Sequence, residues 1–327
     1  RVLPGRRAPV LAAVALLGLR GTMIYSVRVE TYLPALACLA LATELAAATP
    51  PRRFLLVPVL ALAILYHQSN VLFVAPLAIL LLVDRPRGVA GAAGALAAAA
   101  VLVLGPYLLA AAAADHPGGF WGFALGYARA PVEVWGNVGY LSPGGLALLG
   151  ASQLRAIMPV PATAATGAGA FMVLAVAGLA AWHVRQLRRG AEHRRLRLYG
   201  LVFLAVYLAF FLWWMPGDPD FFVATLLPLW LLGLILIADL RDRWRRPAAA
   251  LGLVALLLAG NVGLTLWPMH RDCGPGRRQA LALDRAAPAD SDIVAGSAVQ
   301  EVMLYFTGLT RVLEAEPVTR QPVGALA

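Results

Sequence analysis

The topology turns on one stretch: Phe54-Leu-Leu-Val-Pro-Val-Leu-Ala-Leu-Ala-Ile-Leu-Tyr66-His67-Gln68-Ser69-Asn70-Val71-Leu-Phe-Val-Ala-Pro-Leu-Ala-Ile-Leu-Leu-Leu-Val83. Its 30 residues are too many for one straight bilayer crossing, which takes about 17–25. His67-Gln68-Ser69-Asn70 interrupts it midway. Two short helices, 54–66 and 71–83, joined by that polar turn, are therefore expected. Working outward, apolar runs of spanning length fall at 8–26, 32–48, 89–113, 163–182, 198–215, 221–238 and 248–267. With the hairpin counted as two, this makes nine spans and an all-α polytopic membrane protein.

Composition agrees. Of 327 residues, 61% are hydrophobic and 13% charged, against about a quarter charged in soluble domains. A soluble enzyme, a disordered chain and a disulfide scaffold are excluded together. The two cysteines fall apart, Cys38 in an apolar run and Cys273 in a polar tail, so neither a disulfide nor a cysteine metal site is expected.

All 27 basic residues are arginine, and the formal charge is +10. Such a charge invites a nucleic-acid reading, but the placement argues against it. Arg1, Arg6 and Arg7; Arg52 and Arg53; Arg85 and Arg87; the six between Arg185 and Arg197; and the four between Arg241 and Arg246 all fall in alternate loops. Positive charge accumulates on the cytoplasmic side. With nine spans and a cytoplasmic start, all five clusters share that side. A single span over 54–83 would put Arg52/Arg53 and Arg85/Arg87 on opposite faces. The inner loops then carry +12 and the remainder −2, counting Arg20 with the outside.

The outer side holds the Arg28–Glu30 turn, the His67 turn, a long loop 114–162, a short loop 216–220 and the tail 268–327. The long loop carries Phe120, Trp121, Phe123, Tyr127, Trp135 and Tyr140, the composition of short amphipathic helices lying in the interface. In the tail, Asp292–Ser297 reads as a strand and Val299–Phe306 as a helix, which suggests a truncated extracytoplasmic α/β segment. Domain boundaries follow at 1–267 and 268–327. The chain starts at Arg1, reaches its first methionine at Met23 and has no stop signal at its end, so a fragment of a longer protein is expected.

Polar groups at the mouth of an apolar bundle are costly and are candidates for function. Glu30 opens the second helix, where it complements the helix dipole and can pair with Arg28. It can equally hold a divalent cation or a sugar hydroxyl. His67, Gln68, Ser69 and Asn70 either cap their turn or contact substrate or phosphate at the membrane surface. In Trp213-Trp214-Met-Pro216-Gly-Asp218-Pro-Asp220-Phe-Phe222 the aromatics fit an interfacial belt, and Asp220 is placed to cap the next helix. Otherwise the two acids bind a cation or a sugar. Asp115, His116, Arg129 and Glu133 share the long loop. Arg129 and Glu133 fall at helical i, i+4 spacing, and Arg155 is placed to meet an anionic headgroup. Arg20, inside the first span, is expected to snorkel outward. Phosphate-loop, HExxH, CxxC and GxSxG patterns are absent from the sequence.

Three segments carry a resemblance: Tyr25–Tyr32 with the span after it, Leu62–Pro76 around His67-Gln68, and Trp213–Trp230. In these the chain resembles bacterial integral-membrane glycosyltransferases of the GT-C fold, in the group that includes dolichyl-phosphate-mannose-protein mannosyltransferase-like and lipid A sugar transferase-like proteins. The resemblance implies transfer of a sugar, with inversion, from a polyprenyl-phosphate donor to a glycan, lipid or protein acceptor outside the bacterial cytoplasmic membrane. It also implies an acidic general base in the first external loop, upstream of residue 1. Glu30 matches in layout a second acid that holds metal or substrate, but it stands alone rather than in a DxD or DxE pair. Arg28, His67, Arg129 and Arg155 would then supply donors to the lipid phosphate. The alternatives are a non-enzymatic transporter or flippase of a lipid-linked sugar, an O-antigen polymerase- or ligase-like enzyme, and an assembly subunit. Membrane lipids are the other expected partner, and nucleic acid is not one.

Overall fold

The computed structural model describes residues 13, 16–26, 31–48, 50–83, 88–113, 119–120, 138–190, 192–240, 247–267, 282, 285, 293–295 and 312–314. Residues 1–262 and 263–327 form two compact units. In the first, the helices are α1 (Arg20–Ser26), α2 (Tyr32–Ala47), α3 (Arg53–Tyr66), a 3-10 turn (Gln68–Phe73) leading into α4 (Val74–Leu82), and α5 (Val89–Ala113). After these come α6 (Pro143–Ile157), α7 (Ala165–Arg188), α8 (Arg194–Trp214), a 3-10 turn (Pro219–Val223) leading into α9 (Leu226–Leu240), and α10 (Pro247–Asn261). Four segments are long and apolar enough to cross a membrane: 89–113, 165–188, 194–214 and 219–240. These are the helices of an α-helical membrane protein. Helices prevail because a bilayer offers no partner to backbone N–H and C=O groups, so each segment must satisfy its own.

The expected hairpin is present. His67 is extended (φ −153, ψ 115) between α3 and the turn into α4, and the polar quartet supplies what the broken ladder lacks. Asn70 Nδ2 donates to Ala63 O at 2.8 Å, and the Tyr207 hydroxyl donates to Asn70 Oδ1 at 3.0 Å. At its other end the hairpin returns to where it began. Arg53 Nη2 reaches Gly88 O at 3.4 Å, and Arg52 N donates to Leu45 O at 3.0 Å.

Arg195 Nη2 donates to Ala47 O at 2.8 Å, so the start of α8 joins the same end of the bundle. There the fully buried Arg197 binds Asp239 twice, at 2.5 and 2.9 Å. It also donates from Nη1 to His183 Nδ1 at 2.8 Å and from Nε to Glu192 O at 2.9 Å. His183 Nε2 then faces Leu232 O at 3.1 Å, and Trp182 Nε1 donates to Asp239 at 3.1 Å. One guanidinium thus ties α7, α8 and α9 together.

Between the two ends the core is aromatic and aliphatic. Tyr199, Phe203, Tyr207 and Phe211 recur every fourth residue along the buried stripe of α8, with successive ring centroids 4.8–5.7 Å apart. Phe73 packs edge-on against Tyr199 and Phe203. Tyr199 keeps its buried hydroxyl satisfied on Thr43 at 2.5 Å.

One expectation needs correction. The first span, 8–26, is not continuous in its described part: the helix breaks at Gly18-Leu19, and α1 starts at Arg20. The break is tolerated because side chains replace lost ladder bonds. Thr22 Oγ1 donates to Leu16 O at 3.0 Å and Asn261 Nδ2 to Gly18 O at 2.8 Å. In the 114–162 loop, α6 packs one face against the bundle, and most of the aromatic stretch expected to lie in the interface falls outside the described residues. Ser142 caps it by accepting from Gly145 N at 3.2 Å, Pro143 starts it, and Arg155 stands in its last turn, a favourable set of helix-end residues. Gly150 and Gly169 let α6 and α7 touch backbone to backbone, for a Cβ on either would collide with a carbonyl oxygen of the other helix.

In the second unit, Ile293–Ala295 (β1) pairs in parallel with Val312–Glu314 (β2). The helix expected at Val299–Phe306 lies outside the described residues.

Candidate functional site

Opposite the arginine end, several polar residues converge. The start of α2 brings Tyr32, the hairpin tip brings His67, Ser69 and Asn70, and the turn before α9 brings Phe221. With Ala35, Leu36 and Ala224 they line a shallow, largely filled pocket with room for about one water-sized group.

The imidazole of His67 stands between two aromatic rings. Tyr32 is tilted across it at 4.8 Å, and Phe221 meets it edge-on at 6.0 Å. Nδ1 is held by Ser69 Oγ at 2.7 Å. Among the described residues, Nε2 has no hydrogen-bond partner. Burial removes the water that would stabilise an imidazolium and pushes the His67 pKa down to about 4. At neutral pH the ring is uncharged and keeps one lone pair.

Behind the pocket, Asp218 accepts from Asp220 N at 2.9 Å. Asp218, not the expected Asp220, is therefore the cap. Asp220 is left free of capping, within electrostatic range of Arg20. Arg20 Nη1 donates to Arg155 O at 2.8 Å. The cost of carrying a cation into the bundle is met by the exposed carbonyl end of α6 and by Asp220. Thr225 Oγ1 donates to Gln153 Oε1 at 2.6 Å, and Asn261 Nδ2 donates to Ile157 O at 2.9 Å. The buried polar residues at this end thus tie α6 to the helices around it.

Of the residues expected to bind substrate, His67 lines the pocket, and Asp218 and Asp220 stand on the turn that carries Phe221. Gln68 is exposed and does not line it. Arg155 is half-buried at the end of α6 and is linked to this end through its backbone carbonyl. Arg28, Glu30 and Arg129, with Asp115, His116 and Glu133, lie outside the described residues. Ser69 and Asn70 belong to the polar quartet read from the sequence, whereas Tyr32, Gln153, Phe221 and Thr225 were not proposed as contacts. Gln153 and Thr225 carried no signal beyond polarity in an apolar setting.

No family model, curated protein or solved structure matches this chain.

Proposed function

We propose that the chain is the membrane part of a glycosyltransferase that moves a sugar from a polyprenyl-phosphate donor to an acceptor on the extracytoplasmic face of a bacterial cytoplasmic membrane. The observation that carries this reading is the separation of chemistry along the bundle. Polar and charged groups gather at the two ends of the bundle, the end away from the arginine clusters has aromatic walls, and the middle is filled by aromatic and aliphatic side chains. A donor whose phosphate stays at the headgroup level needs its chemistry at such an end. A transporter needs polar groups and broken helices near the midplane; the break at Gly18-Leu19 is a feature of that kind, and the aromatic and aliphatic middle of α8 is what weighs toward transfer.

The reading includes nine spans, with the arginine end cytoplasmic and the pocket outside. Arg155, half-buried at the end of α6, lies on the pocket's side and is the cation this reading assigns to a lipid phosphate. A divalent cation would be held by acids such as Glu30, Asp218 or Asp220.

The test is transfer by the full-length protein in proteoliposomes, using a panel of synthetic polyprenyl-phosphate hexoses and pentoses with membrane glycan, lipid or peptide acceptors. Release of polyprenyl phosphate coupled to acceptor labelling is expected. Movement of the intact lipid-linked sugar across the bilayer without bond cleavage would replace this reading with the flippase.

A further inference from the structure

We infer that the arginine end of the bundle holds an anionic phospholipid, its headgroup phosphate bound by Arg52, Arg53 and Arg195. The inference uses only the membrane setting of the helices and stands apart from the glycosyl-transfer reading.

The three arginines converge on the corner between α2 and α3. Arg52 and Arg53 stand at the start of α3, with Arg52 N bonded back to Leu45 O at 3.0 Å. Arg195, from the first turn of α8, reaches the last residue of α2 at Ala47 O. None of the three is neutralised. Among the described residues the ion pair at this end joins Arg197 to Asp239, and Arg52, Arg53 and Arg195 have no carboxylate partner. Glu44, exposed one turn before the corner, pairs with none of them. Arg53 and Arg195 each spend one donor on a backbone carbonyl, which leaves most of each guanidinium fork open to an anion.

Arg53 carries the argument furthest. Its guanidinium lies over Gly91 in the first turn of α5, where a Cβ would collide with Nη1. Its Nε is buried without a partner. A cation at a helix N-terminus is opposed by the helix dipole, and a buried donor without an acceptor costs free energy. An anion beside this guanidinium offsets both, since its charge also faces the start of α5.

The apolar surroundings say which anion. Phe54 is 91% exposed, and Leu55 and Val89 are exposed beside the arginines. On a membrane helix such side chains lie among acyl chains. A free phosphate makes no use of them, whereas a phospholipid brings phosphate and acyl chains together. A basic site between helices at the cytoplasmic end suits an anionic headgroup. A zwitterionic headgroup brings its own cation and leaves the surplus charge uncompensated.

Binding of phosphatidylglycerol to the detergent-purified protein, counted by native mass spectrometry, tests this. Arg53→Gln and Arg195→Gln should each weaken binding about fivefold, the worth of one arginine at an anionic surface. Gly91→Ala keeps every charge but displaces the Arg53 guanidinium, and should weaken binding as Arg53→Gln does. Gly94→Ala, with open space around the added carbon, and Arg188→Gln, which removes an exposed arginine of α7, should stay near the parent. Phosphatidylcholine should bind parent and variants alike. Gly91→Ala binding at the parent level, or an equal loss in Arg188→Gln, would reveal diffuse attraction and overturn the site. Displacement of phosphatidylglycerol by an equal concentration of inorganic phosphate would overturn the lipid as its ligand.

Discussion

Removing the carboxylate of Asp239 should be among the most destabilising single changes in the chain. Arg197 is fully buried and spends two of its hydrogen bonds on that carboxylate. Asp239→Ala deletes both and leaves the guanidinium with one imidazole nitrogen and one backbone carbonyl. It also strips Trp182 Nε1 of its acceptor. Breaking a buried pair on one side costs about 3–5 kcal/mol, because the remaining charge stays desolvated. Asp239→Asn keeps one acceptor oxygen and should cost less, about 1–3 kcal/mol. Arg197→Met combined with Asp239→Leu removes both charges and should recover most of the loss, since an apolar pair of similar volume often replaces a buried ion pair at little cost. The assay is reversible unfolding of the detergent-solubilised protein by titration with a denaturing detergent, read by the near-ultraviolet signal of Trp182 and its neighbours. Unfolding of Asp239→Ala together with the parent, or a double variant no more stable than the single one, would show that the buried charge is not what Asp239 compensates.

At the α6–α7 crossing, Gly150→Val should force the helices apart and lower stability by about 2–4 kcal/mol, whereas Gly178→Ala, with open space around the added carbon, should change it little; thermal unfolding in detergent separates the two. Acid should destabilise the hairpin tip. The folded pKa of His67 is about 4 against 6.5 when unfolded, so the unfolded chain binds more protons between these values. Stability is full above pH 6.5 and falls as pH drops toward 4, by about 3 kcal/mol at most. His67→Gln should flatten this part of the pH–stability curve. Reporter fusions after residues 87, 190 and 245 should report the cytoplasm and one at 140 the outside; an outside signal at 87 would exclude the hairpin orientation.

The hairpin and the two polar ends were legible because each rests on a contrast in the chain itself. Four polar residues stand out in a run of Leu, Val and Ala, and arginine clusters alternate with spans. The partners that make these features stable were not legible. Asn70 was visible as a turn residue, but its use of the Tyr207 hydroxyl, 137 residues away, is set by how α8 packs. Arg197 reads in the sequence as one more loop cation, and Asp239 as one more loop acid. Only folding shows that both have been drawn inside the first and last turns of their helices, with His183 between them. The partners of Arg20 were hidden for a related reason: only packing brings a carbonyl of α6 to its guanidinium. The choice of Asp218 over Asp220 as cap depends on a turn geometry that two acids, two residues apart, do not announce.

The shortness of the hairpin arms has a consequence for the surrounding lipid. α3 has 14 residues, about 21 Å of helix at 1.5 Å per residue, beside a hydrocarbon layer of about 30 Å. On the proposed nine-span topology, lipids against these arms would compress to match them, and the leaflet would dip at the hairpin tip around His67. A phosphate anchored by its own tail would ride down that dip toward the pocket. Acyl-chain length would then become a control on the protein's rate: thicker membranes would raise the cost of the dip, and thinner ones would relax it.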